Sequence, residues 1–262
     1  MRLEINPISL PEDAEAFFDV HSKIYAGNPH WVAPLIAERR KFLNPSSNPF
    51  FQHAEVACFI ALRDGEPVGT IAAIIDQAQQ RDEPGLGLFG FFEFIDDHTI
   101  ARALFQRALD WLQARGMQEV SGPCNFSLNH EAGLLVEGFE HDPVALTTYN
   151  PDYYPERYRE LGLLPVQDLY GWWIEGSTPP PRLSRIAERV RQRHPNLSLR
   201  PVNLSDFPGE IERARLLFND SWSQNWGYTP IEQSEFEALS EGLKPMLHPR
   251  LSWFVEADGE PV

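Results

Sequence analysis

The chain is poor in cysteine, with only Cys58 and Cys124 among 262 residues. Two thiols in a chain of this length do not make a disulfide scaffold and read as reduced core side chains. Basic residues are also scarce: 22 Lys and Arg stand against 38 Asp and Glu, for a net charge of −16. A field of that sign repels phosphate backbones and anionic headgroups, so neither nucleic acid nor a membrane is an expected partner. No apolar run approaches the roughly 18 residues that cross a bilayer, and the opening MRLEINPISL lacks a signal-peptide core. A cytoplasmic location is the expectation. The eight histidines are scattered, with none two to four residues from another, so no zinc pair is presented and no metal is expected.

What is present is an ordinary globular composition, 42% hydrophobic and 12% aromatic, enough for one large or two ordinary domains. It also repeats. DGEPV occurs at Asp64–Val68 and again at Asp258–Val262, 194 positions later. At the same offset LEINPISL (Leu3–Leu10) faces LSLRPVNL (Leu197–Leu204), and between them GNPHWVAP faces QNWGYTP in a slightly slipped register. Three ordered matches at one near-constant spacing read as an internal duplication.

Each copy opens with an alternating strand, then a Ser9 or Ser205 cap, two helical stretches and a strand that reaches an Asp-Gly turn. Asp-Gly between apolar runs is a strong hairpin signal. In the first copy the hairpin returns as EPVGTIAAII; in the second the returning strand is absent, an exposed edge that reads as a fragment or as a place a partner completes. The first copy continues through the Phe-rich strand GLGLFGFFEFI. Next comes an amphipathic helix with Ile100, Leu104, Ala108, Trp111 and Leu112 on one face, stopped by Gly116. A strand at QEVSGPCN, a long loop, a helix at PDYYPERYRELG and a last strand at VQDLYGWWIE complete the order β, α, α, β, β, β, α, β, α, β.

Some motifs have plain readings. GLGLFG (Gly85–Gly90) matches Gly-x-Gly-x-x-Gly, but these glycines enter a strand rather than open a helix, so they relieve crowding and do not bind a dinucleotide. Cys124 beside His130 lacks a nucleophile elbow and reads as a buried thiol. The Asn125–Pro143 loop is long for a connection and carries Asn129, His130, Glu131 and Glu137, which would suit the wall of an acceptor pocket. Arg182, Arg185, Arg189, Arg191 and Arg193 form either a solvated face, a clamp onto acidic surface, or a reach toward a phosphate. Trp222 and Trp226 read as packing before they read as the lining of a cleft.

The element order and the stretches NPFFQHAEVACFIALRDGEPVGTIAAI, FGFFEFIDD, GLLVEGF, NPDYYPERYRELGL and NWGYTP resemble the GNAT superfamily of acyl-CoA-dependent N-acyltransferases. The likeness is nearest to bacterial proteins with two such units in tandem. It implies an α/β (α+β) fold with a mixed central sheet flanked by helices: a complete unit over residues 1–174, a Pro/Arg-rich linker helix at 175–196, and the front half of a second unit at 197–262. It implies acetyl-CoA or another acyl-CoA as cofactor and a small-molecule amine as substrate. By that resemblance Glu93, a carboxylate within the fourth strand, is the base, and Tyr158, four before Gly162, is the acid that protonates the leaving thiolate. Asn150 stands one residue upstream of the family's usual Asn. The bland readings are a solvent-facing strand residue for Glu93 and an aromatic packed on the sheet for Tyr158.

The family holds the CoA pyrophosphate on an Arg/Gln-x-x-Gly-x-Gly/Ala loop that opens a helix. Here that stretch is FIDDHTIARAL, without glycine and with Asp96 and Asp97 at the helix entrance, where they cap the helix and repel an anion. That departure leaves the cofactor-binding residues unknown. The expectation is an N-acyltransferase family member whose 262 residues are themselves inactive; the alternative is a non-catalytic structural or ligand-binding module of the same fold.

Overall fold

The computed structural model describes residues 2–144, 147–176 and 178–262, so Ala145 and Leu146 of the long loop and Ser177 of the linker lie outside the described residues. By contacts the chain divides into two units, one of residues 1–167 with 226–230 and one of residues 168–225 with 231–262.

In the first unit β1 (Leu3–Ile8), β2 (Ala54–Arg63), β3 (Glu66–Asp76), β4 (Leu86–Phe94) and β5 (Glu119–Ser121) form one sheet in that order. All pairs are antiparallel except β4 with β5. The sheet is thus mixed, and α3 (His98–Gln113) is the crossover that a parallel pair requires. Strand alternation sorts the core. Phe59, Ala61, Ile71, Ala73 and Ile75 pack on the α3 side, whereas Cys58, Ala72 and Ile74 pack with Phe17 and Phe18 of α1 (Glu15–Ile24). The helix reading of the sequence holds: Ile100, Leu104, Ala108 and Leu112 are buried on one face of α3, and Gly116 follows with φ of +86°.

β4 breaks the alternation once. Thr70 faces Glu93 and Ala72 faces Gly90, so Phe91 and Phe92 stand against Ile71 alone, with Phe91 at φ of +47°. This bulge inverts the phase of the strand: Phe89 lies on the α3 side and Phe91 on the α1 side, with Phe92 and Phe94 back on the α3 side. Its backbone is satisfied by side chains, Thr70 Oγ1 donating to the Phe91 carbonyl at 2.9 Å and the Phe91 N–H donating to Asn125 Oδ1 at 2.7 Å. Gly90 is required here, because a Cβ at that position would sit 1.9 Å from the Cys124 carbonyl oxygen.

The strand read at QEVSGPCN is divided. β5 ends at Ser121, and β6 (Cys124–Asn125) pairs instead with β7 (Glu131–Ala132) in a separate two-stranded ribbon. The last strand read at VQDLYGWWIE is a correction: residues 163–175 form no strand, and Tyr170, Trp172 and Trp173 are exposed. Alternation alone does not make a strand; a strand needs a neighbour to take its backbone hydrogen bonds, and none of the described residues supplies one.

The second unit contains α5 (Pro181–Arg193), β8 (Leu197–Pro201), α6 (Phe207–Trp222), α7 (Gln233–Leu243), β9 (Trp253–Ala257) and β10 (Glu260–Pro261). The sheet order is β10-β9-β8, all antiparallel. The return strand missing from the sequence reading is present as the two residues of β10. Its registers repeat those of the first unit at the offset of the sequence repeat: Leu3 faces Arg63 as Leu197 faces Ala257, and Arg63 faces Glu66 as Ala257 faces Glu260. Both turns use positive φ at both central positions, Asp64 and Gly65 at +52° and +86°, Asp258 and Gly259 at +55° and +90°. These are the values a two-residue hairpin of matching twist demands.

Candidate functional site

The phase inversion in β4 turns Glu93 toward α1, and three side chains meet its carboxylate there. Tyr154, on α4 (Tyr154–Glu160), donates its hydroxyl to Glu93 Oε2 at 2.7 Å and accepts the Phe94 N–H at 2.9 Å. Tyr25, the residue after α1, shares its hydroxyl proton between Glu93 Oε2 at 3.1 Å and the Tyr149 carbonyl at 3.1 Å. His21, one helical turn before Tyr25, sets Nε2 3.3 Å from Glu93 Oε1 while its Nδ1 lies 2.7 Å from the Phe17 carbonyl. That carbonyl can only accept, so Nδ1 carries a proton. Trp31 stacks on Tyr25 at 4.8 Å and 10°.

A second carboxylate lies in the same polar group. Glu131 on β7 pairs with Arg39 of α2 (Ile36–Phe42) and accepts Asn125 Nδ2 at 2.9 Å, so the side chain that satisfies the bulge also fixes Glu131. Burial would raise the Glu131 carboxyl, but Arg39 and Asn125 outweigh it and the group is held below its ordinary value. His21 is opposed by burial and favoured by the Glu93 charge, and the balance raises it. Burial first and the Glu93 charge second push the phenols of Tyr25 and Tyr154 well above their usual range, so both remain donors. The arrangement is a carboxylate on a strand, held by two phenols and an imidazole, with a second paired carboxylate beside it. Such a group can bind a cation and take a proton from it.

The sequence-derived candidates separate. Glu93 and Glu131 belong to this cluster. Tyr158 is buried and packs on Phe89 and Phe92, with no hydrogen bond to its hydroxyl among the described residues. Tyr154, one turn earlier, makes the contact with Glu93. Asn150 has its buried amide on backbone, accepting the Leu135 N–H at 2.7 Å and donating to the carbonyls of Leu135 and Pro151, so it braces the long loop. Glu137 is exposed, and among the described residues it shares no hydrogen bond or ion pair with the cluster. Asn129 donates to the Thr229 carbonyl at 3.0 Å. His130 meets Ser127 Oγ at 2.9 Å and packs among Phe42, Phe50 and Phe126. Cys124 is a core thiol that burial has pushed up to about 12. Sequence reasoning missed His21, Tyr25, Arg39, Asn125 and Tyr154. The available signals were the i, i+4 spacing of His21 and Tyr25 on a helix and the presence of Tyr154 in the same helix as Tyr158.

The α3 entrance does not fit a pyrophosphate. Asp97 is the N-cap and accepts the Thr99 N–H at 2.8 Å. It also pairs with Arg63, while Asp96 pairs with Arg157 at 2.8 Å. Partial burial opposes ionisation of Asp97, but Arg63 and the helix amides prevail and hold it low. The amides are therefore capped and the nearby arginines neutralised. A groove of about 490 Å³ between α3 and β5, lined by Gln106, Leu112 and Met117 among others, includes none of the candidate residues. Among the described residues no group of three or more His, Cys, Asp or Glu is placed to hold a metal, and no helix is long and apolar enough to cross a membrane.

The family model for the acetyltransferase (GNAT) family matches residues 25–139. A bacterial ceramide synthase of Caulobacter vibrioides (strain NA1000 / CB15N) is 38% identical over 98% of this chain and 67% of its own. Protein YghO of Escherichia coli (strain K12) is 32% identical over 95% of this chain and 64% of its own. The chain thus spans about two thirds of the length of these curated relatives. Among solved structures, an aminoglycoside acetyltransferase from an uncultured soil metagenomic sample, in complex with sisomicin, aligns with a TM-score of 0.40 at 11% identity, over 67% of this chain and 97% of that one.

Proposed function

The chain belongs to the acetyltransferase (GNAT) family, and from that premise we propose that it serves the N-acylation of an amine by an acyl-CoA, with the Glu93 cluster as the acceptor side. The observation that carries the reading is the Glu93 carboxylate, turned inward by the β4 bulge and held by His21, Tyr25 and Tyr154. An ammonium entering the cluster replaces the Tyr25 hydroxyl, the donor shared three ways at 3.1 to 3.4 Å, and passes its proton to Glu93. Glu131, neutralised by Arg39, shapes the site without adding a second free charge. The free amine is then the nucleophile. The first unit supplies no cradle for the CoA pyrophosphate at α3, so its part is to bind and deprotonate the acceptor. The registers repeated 194 residues apart support a tandem arrangement, in which the coenzyme is held by other residues than these.

The name of the Caulobacter relative makes a long-chain amino alcohol the first acceptor to try. The test is acyl transfer from short- and long-chain acyl-CoA to a panel of amines, followed by mass spectrometry. Glu93→Gln should lose roughly a hundredfold or more in rate, with circular dichroism checking that the fold is retained. Turnover undiminished by that substitution refutes the assignment. A second reading, a non-catalytic module of the same fold, is favoured by the capped and neutralised α3 entrance; it predicts no transfer to any amine.

A further inference from the structure

Helix α5 is out of keeping with the rest of the chain. Its 13 residues, PRLSRIAERVRQR, carry five arginines and one glutamate, and none of them is buried. At 3.6 residues per turn Leu183, Ile186, Ala187 and Val190 fall on one stripe, and its three large side chains are 55%, 41% and 42% exposed. Arg182, Arg185, Arg189 and Arg193 fall together along one border of that stripe. Among the described residues only Arg191 has an acidic partner, Glu188 at 2.7 Å, and Arg185 reaches no more than the Pro181 carbonyl at 3.4 Å. Just ahead in the chain Tyr170, Trp172 and Trp173 are 75%, 86% and 80% exposed.

We infer that α5, with the aromatic run that precedes it, is an interfacial segment that lies on an anionic lipid surface. An apolar stripe bordered by arginines is the composition of a helix that rests in the headgroup plane, and tryptophan and tyrosine prefer the same depth. The unpaired arginines suit an anionic counterpart, and the exposed stripe suits hydrocarbon; a lipid surface supplies both, whereas an acidic segment supplies only the first. The net charge of −16 does not oppose this, because exposed charges are screened beyond about 8 Å at physiological ionic strength. The headgroups meet the face of the helix, not the whole molecule. The inference goes beyond the acyl-transfer reading and does not depend on it.

The test is flotation of the full chain with phosphatidylcholine vesicles, with and without phosphatidylglycerol, and no amine or coenzyme present. Binding to the anionic vesicles, released by salt and absent on phosphatidylcholine alone, is expected. Replacing the four bordering residues (Arg182→Gln, Arg185→Gln, Arg189→Gln, Arg193→Gln) should weaken it by on the order of a hundredfold or more. Leu183→Ser with Ile186→Ser should weaken it while leaving its salt dependence. All six side chains are exposed, so the fold is expected to survive, and circular dichroism checks this. Three results overturn the inference: no flotation with anionic vesicles, as when further polypeptide or an acidic protein covers the helix; equal flotation with both vesicle types; or binding unmoved by the arginine substitutions.

Discussion

Two substitutions that each remove one oxygen distinguish Tyr154 from Tyr158. Tyr154→Phe leaves the ring in place, stacked on Phe94 at 4.4 Å and 11°, but deletes a hydroxyl that both donates to Glu93 at 2.7 Å and accepts the Phe94 N–H at 2.9 Å. The side chain is 1% exposed, so water does not replace it. A hydrogen bond to a charged group contributes about 1.5–3 kcal/mol, and an orphaned buried N–H costs about 1–3 kcal/mol. The two losses share one atom and do not add in full, which sets the expected cost at about 3 kcal/mol. Tyr158→Phe removes an oxygen with no partner among the described residues, and its cost should fall within about 0.5 kcal/mol. Equilibrium urea unfolding followed by far-ultraviolet circular dichroism measures both. A loss below about 1 kcal/mol for Tyr154→Phe, less than one net hydrogen bond to a charged group, refutes the reasoning. So does an equal loss for the two variants. The same pair tests the acid role that the family resemblance gives Tyr158: a general acid is worth roughly a hundredfold or more, and Tyr158→Phe is expected to keep its rate.

Gly90→Ala places a Cβ 1.9 Å from the Cys124 carbonyl and should cost about 3 kcal/mol or more, because β4 and β6 must part. Gly171→Ala, with nothing within 4 Å of its Cβ, should be silent by the same measurement. Asp97 titrates below its ordinary value in the folded chain, so its contribution is present above the ordinary carboxylate range and is lost as pH falls through the folded value. Asp97→Asn keeps a competent cap and should flatten the acid limb of a stability-against-pH curve, and an unchanged limb contradicts the pairing with Arg63. His21 is raised, so its contribution is complete below about 6.5 and is lost as pH rises through the folded value. His21→Gln should remove that decline, as melting temperatures across neutral to mildly alkaline pH would show.

Local signals in the sequence were faithful where local chemistry decides the structure. Asp64-Gly65 had to be a two-residue turn, because both positions need positive φ and the flanking strands need their twist matched. The repeat at Leu197 followed because register is fixed by that turn, and a turn copied with its strands copies the pairing. Asp97 could be read as a cap from its place before an amphipathic run. What the sequence hid depends on contacts far apart in the chain. Asn150 has the chemistry of a ligand residue, and only its distance to Leu135 shows that backbone consumes it. VQDLYGWWIE has a strand's composition, but a strand is a relation between two segments, and the second is not among the described residues.

Glu93 shows why the candidate site in particular escapes a reading by periodicity. Phe89 packs on the α3 side of the sheet, and a strict period of two would send residue 93 to the same side, into apolar core. The extra residue at Phe91 reverses that parity and delivers the carboxylate to His21 and Tyr25 instead. The reversal is held by Thr70, which pairs with Glu93 across the sheet, and by Asn125, whose side chain bonds Phe91 and Glu131. Asn125 also holds Glu131, so one side chain sets both the phase of the strand and the position of the second carboxylate. It follows that Asn125→Ala should disturb Glu93 without contacting it, lowering any activity that depends on Glu93 more than Thr229→Ala does. An activity that Asn125→Ala leaves unchanged would mean that the bulge is held by the sheet alone, and that the inward turn of Glu93 owes nothing to the loop beside it.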